Sequence, residues 1–299
     1  MKRLIVIVGP TAIGKTAAAI EVARVLKTEI VSCDSRQFYK EMNIGVARPS
    51  PEELAAAKHH FIACRSAMQP YNVFDFEQDA LAVLNNIFKS NNNAVAVGGS
   101  GLYIDALCQG INFMPDPTPE LRNDLSSKIA NGQLSVLLDE LQKLDPEYYA
   151  VVDRNNPIRI QRALEVIYTS GQKYSTFISK TLPAREFEIL KIGLYCDREQ
   201  LKDRIYRRVD QMMAMGLVDE VKSLLPFRNL NTLNTVGYKE LFPYLDGHKS
   251  LDAAVTEIKN HTWQYAKKQI TWLKRYKEID WVEIKNLQKK VQVFENNSY

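Results

Sequence analysis

The stretch Gly9-Pro10-Thr11-Ala12-Ile13-Gly14-Lys15-Thr16 decides the fold. An apolar run, residues 3–8, precedes it, and Lys15 to Leu26 carries apolar positions at helical spacing. A strand, a loop with the G-x-x-x-x-G-K-[ST] spacing and a helix together form a phosphate-binding arrangement. The glycines let the backbone curl so that N–H groups point inward, and the helix N-terminus adds about half a positive charge. Lys15 contributes a full charge, and the Thr16 hydroxyl is placed to bind Mg²⁺. A glycine turn that merely joined two elements would leave the Lys-Thr pair unexplained. Gly9, Thr11, Ala12, Ile13, Gly14, Lys15 and Thr16 are therefore expected to hold a polyphosphate or pyrophosphate group, with Thr16 as the Mg²⁺ ligand.

Outward from the loop, Glu29 to Cys33 reads as a second short strand ending at Asp34, followed by a loop-rich stretch with Pro49, Pro51 and Pro70. Asp75-Phe76-Glu77-Gln78 has capping-box spacing and opens a helix to about Ser90. Ala94 to Val97 is a buried strand, stopped by Gly98-Gly99-Ser100-Gly101, after which a helix runs to about Gln109. Strands alternating with helices of this length imply a parallel sheet covered on both faces. From Met114-Pro115-Asp116-Pro117-Thr118-Pro119 to Pro183 the periodicity is helical, clearest at Leu134–Leu144 and Ile158–Thr169. Strand character returns at Phe187–Tyr195. Asp197-Arg198-Glu199-Gln200 repeats the capping-box spacing ahead of a helix to about Met215. A helix from Ala253 to Tyr276 and a strand near Ile279–Ile284 follow. The expected fold is α/β, a P-loop NTPase-like parallel sheet flanked by helices with an all-helical insertion domain. The core takes residues 1–114 and 184–299, the insertion 115–183.

Composition agrees with this architecture. A chain of 299 residues holds about two domains. Its 45% apolar and 25% charged residues exclude a disordered, collagen-like or coiled-coil chain. No apolar run approaches the ~20 residues of a membrane helix. The first apolar run is too short for a secretory signal, so a cytoplasmic protein without membrane contact is expected. Cys33, Cys64, Cys108 and Cys196 form no CxxC pair, consistent with separate thiols in a reducing compartment. The net charge of +4 permits nucleic acid without demanding it, so the distribution of charge must decide.

Asp34-Ser35-Arg36-Gln37 lies at the carboxyl end of a strand expected beside the phosphate-loop strand, where open α/β sheets place ligands. A carboxylate there can bind Mg²⁺, orient a nucleophile or accept its proton. Asp197 is the other acidic residue at a strand end, and Gln200 three positions on explains it as a helix cap. Ser100 presents a hydroxyl at the same edge, either as a helix cap or as a ligand contact. His59 and His60 have no third ligand at metal spacing, which argues against zinc.

The ordered motifs resemble one family. Gly9-Pro10-Thr11-Ala12-x-Gly14-Lys15-Thr16, Asp34-Ser35-Arg36-Gln37-x-Tyr39, Asn43 to Pro49, His59-His60 and Val97 to Tyr103 are similar to those of tRNA dimethylallyltransferases. So are Asn156-Pro157-x-Arg159-x-x-Arg162-Ala163-Leu164-Glu165-Val166, Val236-Gly237-Tyr238-Lys239-Glu240 and Lys268-Gln269-Ile270-Thr271-Trp272-Leu273. The resemblance implies transfer of a dimethylallyl group from dimethylallyl diphosphate to N6 of the adenosine at tRNA position 37, with release of diphosphate. It implies Asp34 and Ser100 as the catalytic residues, Asp34 as general base and Ser100 supplying a hydroxyl in a place usually held by threonine. Arg208 would be a diphosphate-binding arginine beside the loop. Ser35, Arg36 and Gln37, together with Asp34 and Ser100, would hold the flipped adenosine. Arg122, Ile158, Arg159, Ile160, Gln161 and Arg162 match tRNA-contacting positions. Lys267, Lys268, Lys274 and Arg275 lie opposite the apolar stripe Val255, Ile258, Ala266, Ile270 and Leu273. Between Val255 and Lys290 the chain carries nine basic and four acidic residues, a face suited to RNA phosphate.

Val46, Arg48 and Cys64 depart from the family pattern, Arg48 standing where lysine is usual. The expected partners are the tRNA anticodon loop, dimethylallyl diphosphate and Mg²⁺, and the expected state is a monomer. Two other activities share the phosphate loop: an isopentenyltransferase acting on free adenine nucleotides, and a P-loop kinase of a small metabolite. The free-nucleotide enzyme has no need of a helical insertion bearing Arg159 and Arg162 or of a basic C-terminal helix.

Overall fold

The computed structural model describes residues 1–178, 182–287 and 289. Among the described residues six strands form one sheet: β1 (Arg3–Val8), β2 (Ile30–Ser32), β3 (His59–His60), β4 (Asn93–Gly98), β5 (Glu188–Tyr195) and β6 (Asp280–Glu283). Their order is β3-β2-β4-β1-β5-β6, and every pairing is parallel. β1 is central, with Val8 opposite Gly98 of β4 and Gly193 of β5. Alternate residues of β1 enter two separate cores. Ile5 and Ile7 pack with Ala18, Ala19 and Val22 of helix Lys15–Val25 and with Ile205 of helix Arg198–Ala214. Leu4, Val6 and Val8 pack with Phe76, Ala80 and Leu84 of helix Val73–Ile87 and Leu107 of helix Gly101–Gln109. Burial on both faces explains why the β1 sequence is a continuous apolar run rather than an alternating one.

The structure corrects four readings. β4, not β2, lies beside β1, so Asp34 at the end of β2 stands one strand further from the phosphate loop. Chain order does not carry sheet order, because crossovers decide which strands meet. The stretch read as loop contains helix Pro51–Ala56, opened by a Ser50–Glu53 capping box, and the two-residue strand β3. Helix Val73–Ile87 is capped by Asn72, with Asp75 as the reciprocal partner rather than the cap. Asp197 occupies the N-cap position of helix Arg198–Ala214, but its side chain makes no capping bond, so the box with Gln200 does not form.

Residues Gly110–Ala184 form a compact unit of their own. Its helices are Pro119–Ala130, Leu134–Leu144, Pro146–Val151, Pro157–Ser170 and Tyr174–Ile178. Three of them begin with proline after a side-chain cap: Thr118, Asp145 and Asn156. Proline is pre-shaped for a first helical turn, and each cap satisfies an N–H that the turn leaves free. Fully buried Asp145 also accepts the Ser175 N–H at 2.7 Å, tying two helices together. Leu125, Leu137, Leu141, Ile160, Ala163 and Leu164 make the unit's core. Residues 179–181, which fall in the expected insertion, lie outside the described residues.

A further cluster belongs to the sheet-bearing unit. Val209, Leu217, Val221, Tyr238, Leu241, Ala254 and Ile258 pack with Tyr39 and Met42, fastening the loop after β2 against helix Leu251–Leu273. Among the described residues no helix is long and apolar enough to cross a membrane.

Candidate active site

The loop between β1 and helix Lys15–Val25 is built to receive an anion. Gly14 is the N-cap residue at φ 101°, a conformation that glycine adopts without penalty, and no side chain caps the helix. The first N–H groups of that helix are therefore available to a phosphate. Ala12 also sits in the left-handed region at φ 64°. Lys15 folds back over the loop, its Nζ donating to the Pro10 carbonyl at 2.8 Å. Arg208, from helix Arg198–Ala214, reaches in from the other side and donates to Thr11 Oγ1 at 3.4 Å.

Asp34 lines the cleft, and Ser100 is bonded to the turn that carries it. Asp34 Oδ1 accepts the N–H groups of Arg36 (2.9 Å) and Gln37 (3.3 Å), shaping the turn after β2. Ser100 Oγ accepts the Ser35 N–H at 3.1 Å and donates to Ser35 Oγ at 3.2 Å. Its carbonyl, not its hydroxyl, receives the N–H groups of Tyr103 and Ile104 as the next helix starts. The Ser100 hydroxyl thus pins the Asp34-Ser35 turn against the glycine turn after β4. Gln37 donates through Nε2 to the carbonyls of Val46 (3.3 Å) and Ala47 (3.0 Å).

Two adjoining cavities share Thr11, Asp34, Val46, Ala47 and Arg208 in their walls. The cleft over the phosphate loop, about 590 Å³, adds Lys15, Thr16, Arg204 and Arg207 and so concentrates positive charge. Its neighbour, about 230 Å³, adds Ser35 and Arg36 and the apolar side chains Val209, Met212 and Ile258. Burial, then the charge of Arg208, draws Lys15 down to about 7, against the pull of Asp34. Burial likewise lowers Arg208, opposed by the carboxylates of Asp34 and Glu53. Crowding these cations is unfavourable, and an anion in the cleft would relieve it.

The structure divides the remaining expected residues. Lys267, Lys268, Lys274 and Arg275 are exposed on or just after helix Leu251–Leu273, with the Arg275 guanidinium over the Trp272 ring at 5.0 Å. Within the helical unit, Ile158 and Arg159 are exposed at the start of helix Pro157–Ser170. Buried Glu165 gathers Arg122 (3.4 Å), Gln161 (3.0 Å) and Arg162 (3.4 Å), fixing the three side chains together. Ile160 is a correction: it is fully buried in the core of that unit, so its side chain supports the surface instead of touching a ligand. His60 Nε2 lies 2.5 Å from Glu29 Oε2, and His59 Nδ1 lies 2.8 Å from the Ala57 carbonyl. Arg48 reaches the carbonyls of Tyr39, Lys40 and Met42 and so clamps the loop that precedes it.

Two residues of helix Leu251–Leu273 complete the site without having been assigned to it. Gln269 accepts the Thr11 N–H and donates to the Gly99 carbonyl. Tyr265 lines the smaller cavity, and burial, followed by the charge of Asp34, pushes it up to about 12. Both fall beside the basic residues in the sequence, and helical spacing marks Gln269 only as a polar residue on an apolar face.

A parallel sheet whose central strand opens into a phosphate loop, with the Asp34 carboxylate and the Thr16 hydroxyl on the same cavity, defines a P-loop protein that acts on a phosphorylated ligand. Residues 37–276 match the family model described as IPP transferase, and the chain belongs to that family. It is 49% identical to a tRNA dimethylallyltransferase of Christiangramia forsetii over 280 residues, covering 94% of this chain and 93% of that protein. Its fold is similar to the tRNA isopentenylpyrophosphate transferase of Bacillus halodurans, with TM-score 0.71, 33% identity and coverage of 99% and 95% of the two chains. A eukaryotic dimethylallyltransferase solved acting on tRNA is similar at TM-score 0.77 and 25% identity, over 95% of this chain and 74% of that one.

Proposed function

We propose that the protein transfers the dimethylallyl group of dimethylallyl diphosphate to N6 of adenosine 37 in tRNA, releasing diphosphate. One observation carries the reading: the phosphate-loop cations and the Asp34 carboxylate line one pair of joined cavities. The relatives' stated activity favours it over phosphoryl transfer to a metabolite or prenylation of a free nucleotide.

In the reaction N6 attacks the allylic carbon, and the carbon–oxygen bond breaks with its electron pair going to diphosphate. Asp34 accepts the N6 proton, its carboxylate already oriented by the N–H groups of Arg36 and Gln37. Lys15, Arg208 and the loop amides bind the departing oxygens where negative charge develops. Val209, Met212 and Ile258 give the smaller cavity an apolar wall for the five-carbon chain, while Ser35 and Arg36 in the same wall receive the extruded base. Gln37 from the adjoining cleft, and Ser100 through its bond to Ser35, support that turn.

Among the described residues no group of three or more His, Cys, Asp and Glu is arranged to hold a metal. The cleft instead offers the hydroxyl of Thr16 beside the place for a diphosphate. A single hydroxyl with substrate oxygens and water suits Mg²⁺, which keeps much of its hydration and takes few protein ligands. Thr16 would hold it, and when bound it neutralises charge on the diphosphate.

Exposed Lys267, Lys268, Lys274 and Arg275, and on the helical unit Arg159, Arg122 and Arg162, supply positive charge for the RNA backbone. The proposed active unit is a monomer, working in the cytoplasm where its tRNA substrate resides.

Labelled dimethylallyl diphosphate with unmodified tRNA tests the proposal. Label in tRNA at adenosine 37, with diphosphate released, is the expected result. Label in AMP but not in tRNA, or phosphate transfer from ATP, would overturn it.

A further inference from the structure

Val46 and Ala47 line both cavities, so the loop that carries them is the wall common to the cationic cleft and the acceptor space. This wall is irregular backbone, and Ala47 is held at φ 48°, a region that L side chains adopt reluctantly. Such a loop keeps one shape only if its surroundings over-determine it.

Glu220, on helix Leu217–Ser223, does so. Its Oε2 accepts the N–H groups of Asn43 (3.1 Å) and Ile44 (2.7 Å), and its Oε1 accepts the N–H of Gly45 (3.0 Å). The Tyr238 hydroxyl donates to the same Oε1 at 2.6 Å. Three successive backbone N–H groups converging on one carboxylate form an anion nest, here filled by the protein's own side chain. Tyr238 is fully buried, and its ring lies so close to Gly45 that any Cβ there would collide with it. The far end of the loop continues the linkage: the Val46 and Ala47 carbonyls accept from Gln37, whose N–H donates to Asp34.

We propose that Glu220 is a positioning residue for the transfer reaction. It presets the wall between the two cavities and, through Gln37, the turn that presents Asp34. Helix Leu217–Ser223 follows helix Arg198–Ala214 after the turn at Gly216, so the segment that delivers Arg208 to the leaving group also sets the opposite wall. The inference rests on the reading of these cavities as the reaction site.

Glu220→Gln keeps the size of the side chain but removes its charge and turns an NH₂ group toward N–H donors. Hydrogen exchange of the full chain and steady-state turnover with tRNA and dimethylallyl diphosphate are measured together. Exchange in peptides covering residues 40–48 is expected to quicken about tenfold, with β1 and β4 unchanged. Turnover, kcat, is expected to fall about tenfold, while the Kd for tRNA stays within about twofold. Tyr238→Phe keeps the ring against Gly45 and removes one donor, so both effects should recur in the same direction, at about threefold.

A purely structural role would change exchange and leave kcat at the wild-type value, which overturns the inference. A lower kcat with unchanged exchange in residues 40–48 overturns it as well. If Glu220→Gln speeds exchange in β1 and β4 too, Tyr238→Phe decides by the same criteria. Absence of tRNA prenylation by the wild-type protein would overturn the reading of the site. Wild-type turnover matched by both variants would overturn only the role of Glu220.

Discussion

Gln269 and Thr11, 258 residues apart, are joined by a hydrogen bond of 2.8 Å from the Thr11 N–H to Gln269 Oε1. The same amide donates from Nε2 to the Gly99 carbonyl at 2.9 Å. One buried side chain from the C-terminal helix therefore clamps the tips of two adjacent strands, β1 and β4, at the mouth of the site. Gln269→Ala leaves both backbone groups without this partner, and stability should fall by about 1–3 kcal/mol. Gln269→Glu keeps the acceptor but sets a carboxylate against the Gly99 carbonyl and beside the anion site. Its affinity for inorganic diphosphate should fall further than that of the alanine variant. Thermal unfolding and titration calorimetry with diphosphate check the two statements.

Asp34→Asn retains the oxygen that accepts the Arg36 and Gln37 N–H groups, so the turn should survive while the basic function is lost. Turnover is expected to drop by about 10²–10⁴ with tRNA binding largely kept. Filter binding beside single-turnover kinetics separates the two, and undiminished turnover would remove the base assignment.

Lys15 links binding to pH. In the free protein it is charged below about 7 and neutral above. A bound diphosphate favours the charged form, so binding at pH 8 should take up a proton at Lys15, and affinity should decline as pH rises through about 7. Calorimetry in buffers of different ionisation enthalpy measures this uptake, and Lys15→Met should abolish its share. The stability effect has the opposite pH trend. Between about 7 and the ordinary value of 10.5 the unfolded chain binds more protons at this lysine, so stability from this group rises with pH across that window. Lys15→Met should accordingly stabilise the protein more at pH 6 than at pH 10.

Arg159→Ala and Lys268→Ala each remove an exposed cation proposed to meet RNA phosphate. Each should weaken tRNA binding and make the dependence of log Kd on log salt shallower by about 0.7–0.9. An unchanged slope would count against the contact.

Ile160→Ala opens a cavity among Leu125, Leu137 and Leu164. The helical unit should lose about 2–5 kcal/mol of stability, read by thermal unfolding. At temperatures where the variant is folded, tRNA affinity should match wild type, because the side chain has no surface to offer.

The phosphate loop was legible in the sequence because strand, loop and helix are consecutive, and local spacing is enough to describe them. The carboxylate at the end of β2 and the serine after β4 were visible for the same reason: each ends an apolar run. Ile160 carried its own warning, since Ile160, Ala163, Leu164 and Ile167 form an apolar helical stripe that outranks a motif match. The neighbour of β1 was not visible, nor was β3, whose two residues carry no periodicity.

By itself the sequence determined the phosphate-loop motif, the alternation of strands with helices, the change to helices alone after the first half of the sheet and the basic residues of the last long helix. Only the tertiary structure decided that β4 separates Asp34 from the loop strand, that Gln269 clamps two strand tips, and that Glu220 shapes the wall of the cavities. The physical reason is range. Backbone conformation follows from side chains a few positions apart, whereas these meetings join residues 258 and 176 positions apart. They exist only once crossovers and packing have brought the elements together.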